Sequence, residues 1–169
     1  MSLNQEVVSL IHVLPSVNIN YFNTFSCQYR NFERETGKSA RRCGLFVDKE
    51  RSYLGASPDG LVGNEALIEV KCPFAGRNEK IHPGKHFPFL TTDSVTGQFK
   101  LKPNSKYYFQ IQGQMFIAKK KCCYFVVYTF KDLFIQNIDF DLEYCENSLF
   151  PKLELFYDKY FKPYLSSIL

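Results

Sequence analysis

Hydrophobic and polar positions change period several times along this chain. Phe22, Phe25, Tyr29 and Phe32 recur at helical spacing within residues 21–36, and Gly37 follows as a stop. This predicts a helix with one buried aromatic face. Residues 1–14 predict a short helix, broken by Pro15. Apolar runs at 43–47, 53–57 and 66–72 alternate with polar turns and predict three strands, with Pro73 ending the third. Residues 74–105 are punctuated by Gly76, Pro83, Gly84, Pro88, Gly97 and Pro103 and predict a long irregular connection. Residues 106–118 place Tyr108, Ile111, Met115 and Ala118 on one apolar helical stripe. A strongly β-prone run follows at 122–130, with another strand expected at 133–140. Leu149, Leu153, Phe156 and Tyr160 predict a terminal helix closed by Pro163. The order helix, three strands, helix, strand and terminal helix predicts an α/β core.

The totals narrow the class. A chain of 169 residues, 45% apolar and 22% charged, is long enough for one globular core. Its net charge of +4 permits a nucleic-acid partner without requiring one. No apolar run approaches the length of a membrane span, and the start lacks the pattern of a secretion signal. A nuclear or cytoplasmic protein is the expectation. The six cysteines (Cys27, Cys43, Cys72, Cys122, Cys123 and Cys145) form no Cys-x-x-Cys pair and, with His12, His82 and His86, no zinc-finger spacing. Buried free thiols are expected.

The candidate chemistry lies between Pro58 and Lys71. Pro58-Asp59 is followed, after nine residues, by Glu69-Val70-Lys71. A strand turns alternate side chains to opposite faces, so Glu69 and Lys71 share one face and Ile68 and Val70 the other. Asp59, in the preceding turn, is placed to fold back beside Glu69. Two hard carboxylates suit Mg²⁺ or Mn²⁺, and an amine beside them can orient a metal-bound water or help to deprotonate it. This is equipment for hydrolysing a phosphodiester. Read blandly, the same residues are a turn-capping Asp and a surface ion pair. Gln110 and Gln114 stand one turn apart on the following helix, with Tyr107 beside them; the bland reading is a solvated helix face. Arg77, Lys80, Lys85, Lys100 and Lys102 make the long connection a candidate arm over a polyanion. Arg77, Lys102, Tyr107, Gln114, Lys119 and Lys120 are candidate DNA contacts.

Four runs occur in a telling order: Gly44-Leu45-Phe46-Val47-Asp48, then Leu54-Gly55-Ala56-Ser57-Pro58-Asp59-Gly60-Leu61-Val62, then Ile68-Glu69-Val70-Lys71-Cys72-Pro73-Phe74, then Tyr107 to Met115 with its three glutamines. Together they resemble the YqaJ viral-recombinase family, which includes phage lambda exonuclease, within the PD-(D/E)XK nuclease superfamily. The resemblance covers residues 32–165. It sets apart a divergent or truncated N-terminal segment with its helix, 1–31, and a tail, 166–169. The glutamate usual in the family's N-terminal helix would fall near Phe25, where no acid stands.

The resemblance implies a restriction-endonuclease-like core, a central mixed β-sheet flanked by helices. It implies Mg²⁺-dependent exonucleolysis of double-stranded DNA in recombination or repair. The matching positions assign Asp59 and Glu69 to the metal, with the Val70 carbonyl as a further ligand. Lys71 would assist the attacking water, and Gln110 would complete the catalytic set. A ring-forming homo-oligomer is open by the same resemblance. A catalytically decayed DNA-binding module and a structure-specific endonuclease of the same fold are the alternatives.

Overall fold

The structure, a computed structural model, describes residues 29–168. The expected helix at 1–14, the first half of the helix at 21–36, Phe25 and Cys27 lie outside the described residues. Residues 29–36 are helical (α1) and end at Gly37, whose φ of +66° is the left-handed stop that glycine adopts without a Cβ penalty.

Five strands build the main sheet: β1 (Ala40–Arg41), β4 (Gly60–Val62), β5 (Ala66–Lys71), β8 (Cys122–Tyr128) and β9 (Leu133–Asp139), in the spatial order β1-β4-β5-β8-β9. All neighbours are antiparallel except β5 and β8, which run parallel from Ala66 opposite Cys122 to Lys71 opposite Val127. The sheet is therefore mixed, and the parallel pair demands a crossover connection. That crossover carries α2 (Lys106–Ala118) across one face.

Helix α2 spans the length that its pattern predicts, and both ends have a cause. The Ser105 hydroxyl accepts from the Tyr108 amide at 3.2 Å, an N-cap, and Lys119 turns left-handed at φ 54°. Ile111, Met115 and Ala118 pack on Leu61, Leu67, Cys123, Phe125 and Val127 of the sheet. Phe109 and Ile117, on its other side, pack against Cys145, Leu149, Phe150 and Leu153. The helix is thus sandwiched between the sheet and a third layer. The opposite face of the sheet, Val62, Ala66, Ile68 and Val126, is covered by Phe32 of α1.

The strand expectations need correction. The runs at 43–47 and 53–57 shrink to β2 (Phe46–Val47) and β3 (Gly55–Ala56), which pair with each other outside the main sheet. The strand beside β5 is instead β4, three residues long and placed after the Pro58-Asp59 turn.

The long connection is not a free arm. It holds a 3₁₀ turn (Phe74–Gly76) and the hairpin β6 (Leu90–Thr92) to β7 (Phe99–Leu101), and it buries Ile81, Phe87, Leu90 and Leu101 in the α2-side core.

The end of the chain is helical from Leu142 to Ile168: α3 (Leu142–Tyr144), a π-turn (Cys145–Leu149), α4 (Phe150–Phe156), a second π-turn (Tyr157–Phe161) and α5 (Lys162–Ile168). Pro163 does not close this segment, as the pattern suggested. Pro151 and Pro163 each stand second in an α-segment that follows a π-turn. A proline lacks the amide that an α-helix interior needs and crowds the carbonyl four residues back; a widened turn relieves both.

Candidate active site

The site forms where β4 meets β5 under the first turns of α2. Gly60 pairs with Ile68, so Asp59, one step beyond the end of β4, arrives beside Glu69. Its carboxylate accepts from the Val70 amide at 2.7 Å and so continues the ladder with a side chain. The Tyr29 hydroxyl donates to the Asp59 carbonyl and fixes the same turn from α1. Gly60 is needed here: a Cβ would stand 2.6 Å from the Arg41 carbonyl oxygen and 2.8 Å from the Tyr29 hydroxyl.

Glu69 is 3% exposed, the most enclosed acid of the site. Lys71 Nζ donates to Glu69 Oε1 at 2.5 Å and to Gln110 Oε1 at 3.1 Å. Gln110 Nε2 donates to the same Glu69 oxygen at 3.0 Å, and Gln114 Nε2 to the other, Oε2, at 3.1 Å. Lys71 also lies over the Tyr107 ring, 4.8 Å from its centre, and the two attractions hold the ammonium over one spot. The alternation along β5 therefore does what its pattern predicts: Glu69 and Lys71 face α2 together. The bland reading, an exposed ion pair, does not survive, because the Glu69 and Lys71 side chains are only 4% and 18% exposed.

Charge at the site is unbalanced. Burial, and then the neighbouring Glu69 carboxylate, push Asp59 up to about 7, against the opposing pull of Lys71 and the Val70 amide. Burial pulls the Lys71 ammonium down, but Glu69 and Asp59 outweigh it and hold Lys71 above its ordinary value. Two carboxylates thus face one ammonium, an excess of acid over base that favours a bound cation. The donors are hard oxygens of the type that Mg²⁺ and Mn²⁺ select. Among the described residues no group of three His, Cys, Asp or Glu side chains gathers round a metal position.

The other candidates separate. Gln114 is 3% exposed, with its amide turned to Glu69 on the sheet, and cannot touch a duplex. Lys119 reaches the buried Asp48 carboxylate at 3.6 Å and Lys120 donates to the Asn64 carbonyl at 2.6 Å. Both sit at the Ala66 end of β5, away from Glu69 and Lys71, so the structure does not bring them to the cluster. Lys102 Nζ donates to the Pro88 carbonyl at 2.6 Å, and Lys100 pairs with Asp93 at 2.6 Å. Arg77 lies over the exposed Phe74 ring at 3.9 Å, just beyond the Lys71 end of β5. Tyr107 is half-buried against Phe89, with its face to Lys71. Glu33 is spent locally, accepting from the Ser39 hydroxyl and the Ala40 amide at 3.1 and 3.0 Å. The expectation of buried thiols holds for Cys123 and Cys145 and fails for Cys72, which is exposed just past the end of β5. Sequence reasoning missed Tyr29 as a support of the site; its helical spacing signalled only a core aromatic.

Residues 28–121 match the YqaJ-like viral recombinase domain. The chain belongs to the YqaJ-like viral recombinase family. The alkaline nuclease of Autographa californica nuclear polyhedrosis virus is 26% identical over 127 residues, which is 63% of this chain and 29% of the viral protein. The chain therefore spans less than a third of that relative's length. The alkaline exonuclease LHK-Exo of Laribacter hongkongensis superposes with a TM-score of 0.63 at 23% identity, covering 99% of this chain and 84% of LHK-Exo. The same protein has also been solved in complex with dAMP, with a TM-score of 0.62. A phage-related exonuclease from Haemophilus somnus 129PT gives 0.55 at 14% identity, covering 99% and 82%. The fold of this YqaJ-like chain is the restriction-endonuclease-like one of these alkaline exonucleases. No described helix is long and apolar enough to cross a membrane.

Proposed function

We propose that this chain is a divalent-cation-dependent nuclease that hydrolyses the phosphodiester bonds of double-stranded DNA from an end, in recombination or repair. The observation that carries this reading is the convergence of Lys71 and Gln110 on the buried Glu69 carboxylate, with Asp59 held next to it on the Val70 amide. Membership of the YqaJ-like family and the names of its relatives support the substrate class. LHK-Exo, of the same fold, binds dAMP, a nucleotide of the kind such a reaction releases.

Asp59, Glu69 and the Val70 carbonyl would hold Mg²⁺ or Mn²⁺. Bound there, the cation supplies neutralisation of phosphate charge and activation of water. The chain's own groups do the rest. Lys71, held protonated by Glu69 and Asp59, donates: it orients the attacking water and offsets charge that grows on the phosphate oxygens. Gln110 fixes Lys71 through its carbonyl and Glu69 through its amide, so both side chains are set before substrate arrives. Arg77, which follows the Lys71 end of β5 and lies over Phe74, would supply a cation for a phosphate.

The test is incubation of the purified chain with Mg²⁺ on linear duplex and on closed circular DNA. Linear DNA is degraded and the circle survives. Cutting of the circle replaces the exonuclease reading with an endonuclease of the same fold, and turnover of neither sinks the nuclease reading.

A second reading, a DNA-binding module whose site has decayed, draws on the lack of a third metal-ligating side chain among the described residues. It requires salt-sensitive DNA binding with no cleavage in either Mg²⁺ or Mn²⁺.

A further inference from the structure

We infer that Gln114 is a positioning residue for the cation site, acting through Glu69 and not on DNA. Two glutamines sit two residues apart in α2, and both are buried, at 0% and 3% exposure. Gln112 is fully satisfied: Nε2 donates to the Asp139 carbonyl at 3.0 Å and Oε1 accepts from the Asp141 amide at 2.9 Å. It ties α2 to the end of β9 and is structural. Gln114 differs. Its Nε2 donates to Glu69 Oε2 at 3.1 Å, while its Oε1 is buried with no hydrogen-bond donor.

A buried oxygen without a donor costs stability, and Met or Leu would fill the same space without that cost. The side chain makes physical sense through what its amide does to Glu69. Lys71 and Gln110 both hold Oε1, so without Gln114 the carboxylate is free to swing about that pinned atom. With Gln114, both oxygens are fixed, and the Glu69 plane has one orientation towards Asp59. Outer partners of a metal-binding carboxylate act in this way, and their loss typically costs about 10–100-fold in metal affinity. This inference rests on the proposed role of Glu69 in holding the cation.

The test is Mn²⁺ titration of the metal-free chain by calorimetry, without DNA, for wild type, Gln114→Met, Gln114→Asn and Gln112→Met. Gln114→Met fills the space but cannot donate; Gln114→Asn keeps an amide and withdraws it by one methylene. Both are expected to weaken Mn²⁺ binding by about tenfold or more. They should leave DNA affinity, measured by anisotropy in EDTA, within about twofold of wild type, the scatter expected of a residue that makes no DNA contact. Gln112→Met is expected to lower the melting temperature and leave Mn²⁺ affinity unchanged. Unchanged Mn²⁺ binding in whichever Gln114 variant folds overturns the inference, as does a loss of DNA affinity with metal binding intact. If wild type itself binds no Mn²⁺, the cation reading of Glu69 fails, and the inference falls with it.

Discussion

The Asp59 carboxylate takes the Val70 amide at 2.7 Å, so a side chain occupies the place that strand backbone would fill one step beyond β4. The acid is held by its neighbour's main chain while burial and Glu69 press it towards its neutral form.

Asp59 therefore makes metal-free stability depend on pH. Its folded value, about 7, lies above its ordinary 3.8, so between these the folded state holds a proton that the unfolded state has lost. Stability contributed by that proton is fully present below the lower value and is lost as pH rises towards the upper one. Thermal melts in EDTA should show stability falling from about pH 4 to pH 7, and Asp59→Asn should flatten that slope. At pH 8 the variant should melt above wild type in EDTA, with cleavage down at least about 100-fold. A slope of the same size in the variant would remove Asp59 as its source.

Lys71→Met strands the Glu69 charge, although Gln110 and Gln114 still donate to it. A metal-free loss of about 2–4 kcal/mol at pH 7 is expected in denaturant unfolding. With the competing ammonium gone, Mn²⁺ should bind about tenfold more tightly while DNA cleavage is abolished. Weaker Mn²⁺ binding in this variant would contradict the arrangement.

Gly60→Ala drives a methyl into the Arg41 carbonyl and the Tyr29 hydroxyl. About 1–3 kcal/mol of destabilisation is expected from chemical denaturation, together with a fall in activity, because Asp59 must shift with its neighbour. A variant as stable as wild type would show that the close approach is easily relaxed.

Thiol reactivity should follow exposure. Cys123 and Cys145 are fully buried, and burial raises both thiols, Cys145 to about 12. A brief pulse of iodoacetamide on the native chain should label Cys72 and spare these two, as read by peptide mass mapping. Labelling of Cys123 at the rate of Cys72 would mean that the α2-side core opens readily.

The site was legible in the sequence where local rules govern it. The period of a strand alone put Glu69 and Lys71 on one face, and the spacing to Pro58-Asp59 gave the hairpin that returns Asp59. The bounds of α2 were legible because Ser105 caps it and the pattern stops at Ala118. What was not legible depends on distant contacts. Nothing near Gln114 in the chain signals that its amide meets the Glu69 carboxylate, 45 positions away, so an interior residue read as a surface one. Lys119 and Lys120 read as phosphate contacts because their partners, Asp48 and Asn64, lie far away along the chain. Strand β4 was missed because three residues are too few to display a period. Pro163 read as a stop because a widened turn before a proline leaves no mark in the hydrophobic pattern.

The parallel β5–β8 pair has a kinetic consequence. The hairpin that joins Asp59 to Glu69 is local, whereas Ala66 meets Cys122 only after the whole connection and α2 have been threaded between them. Such long-range closure is slow, since chain entropy must be surrendered before any contact repays it. Pulse-labelling hydrogen exchange during refolding should find amides of β4 protected before those of β8. A nascent chain would then set Asp59 beside Glu69 early, before Gln110 is delivered from above.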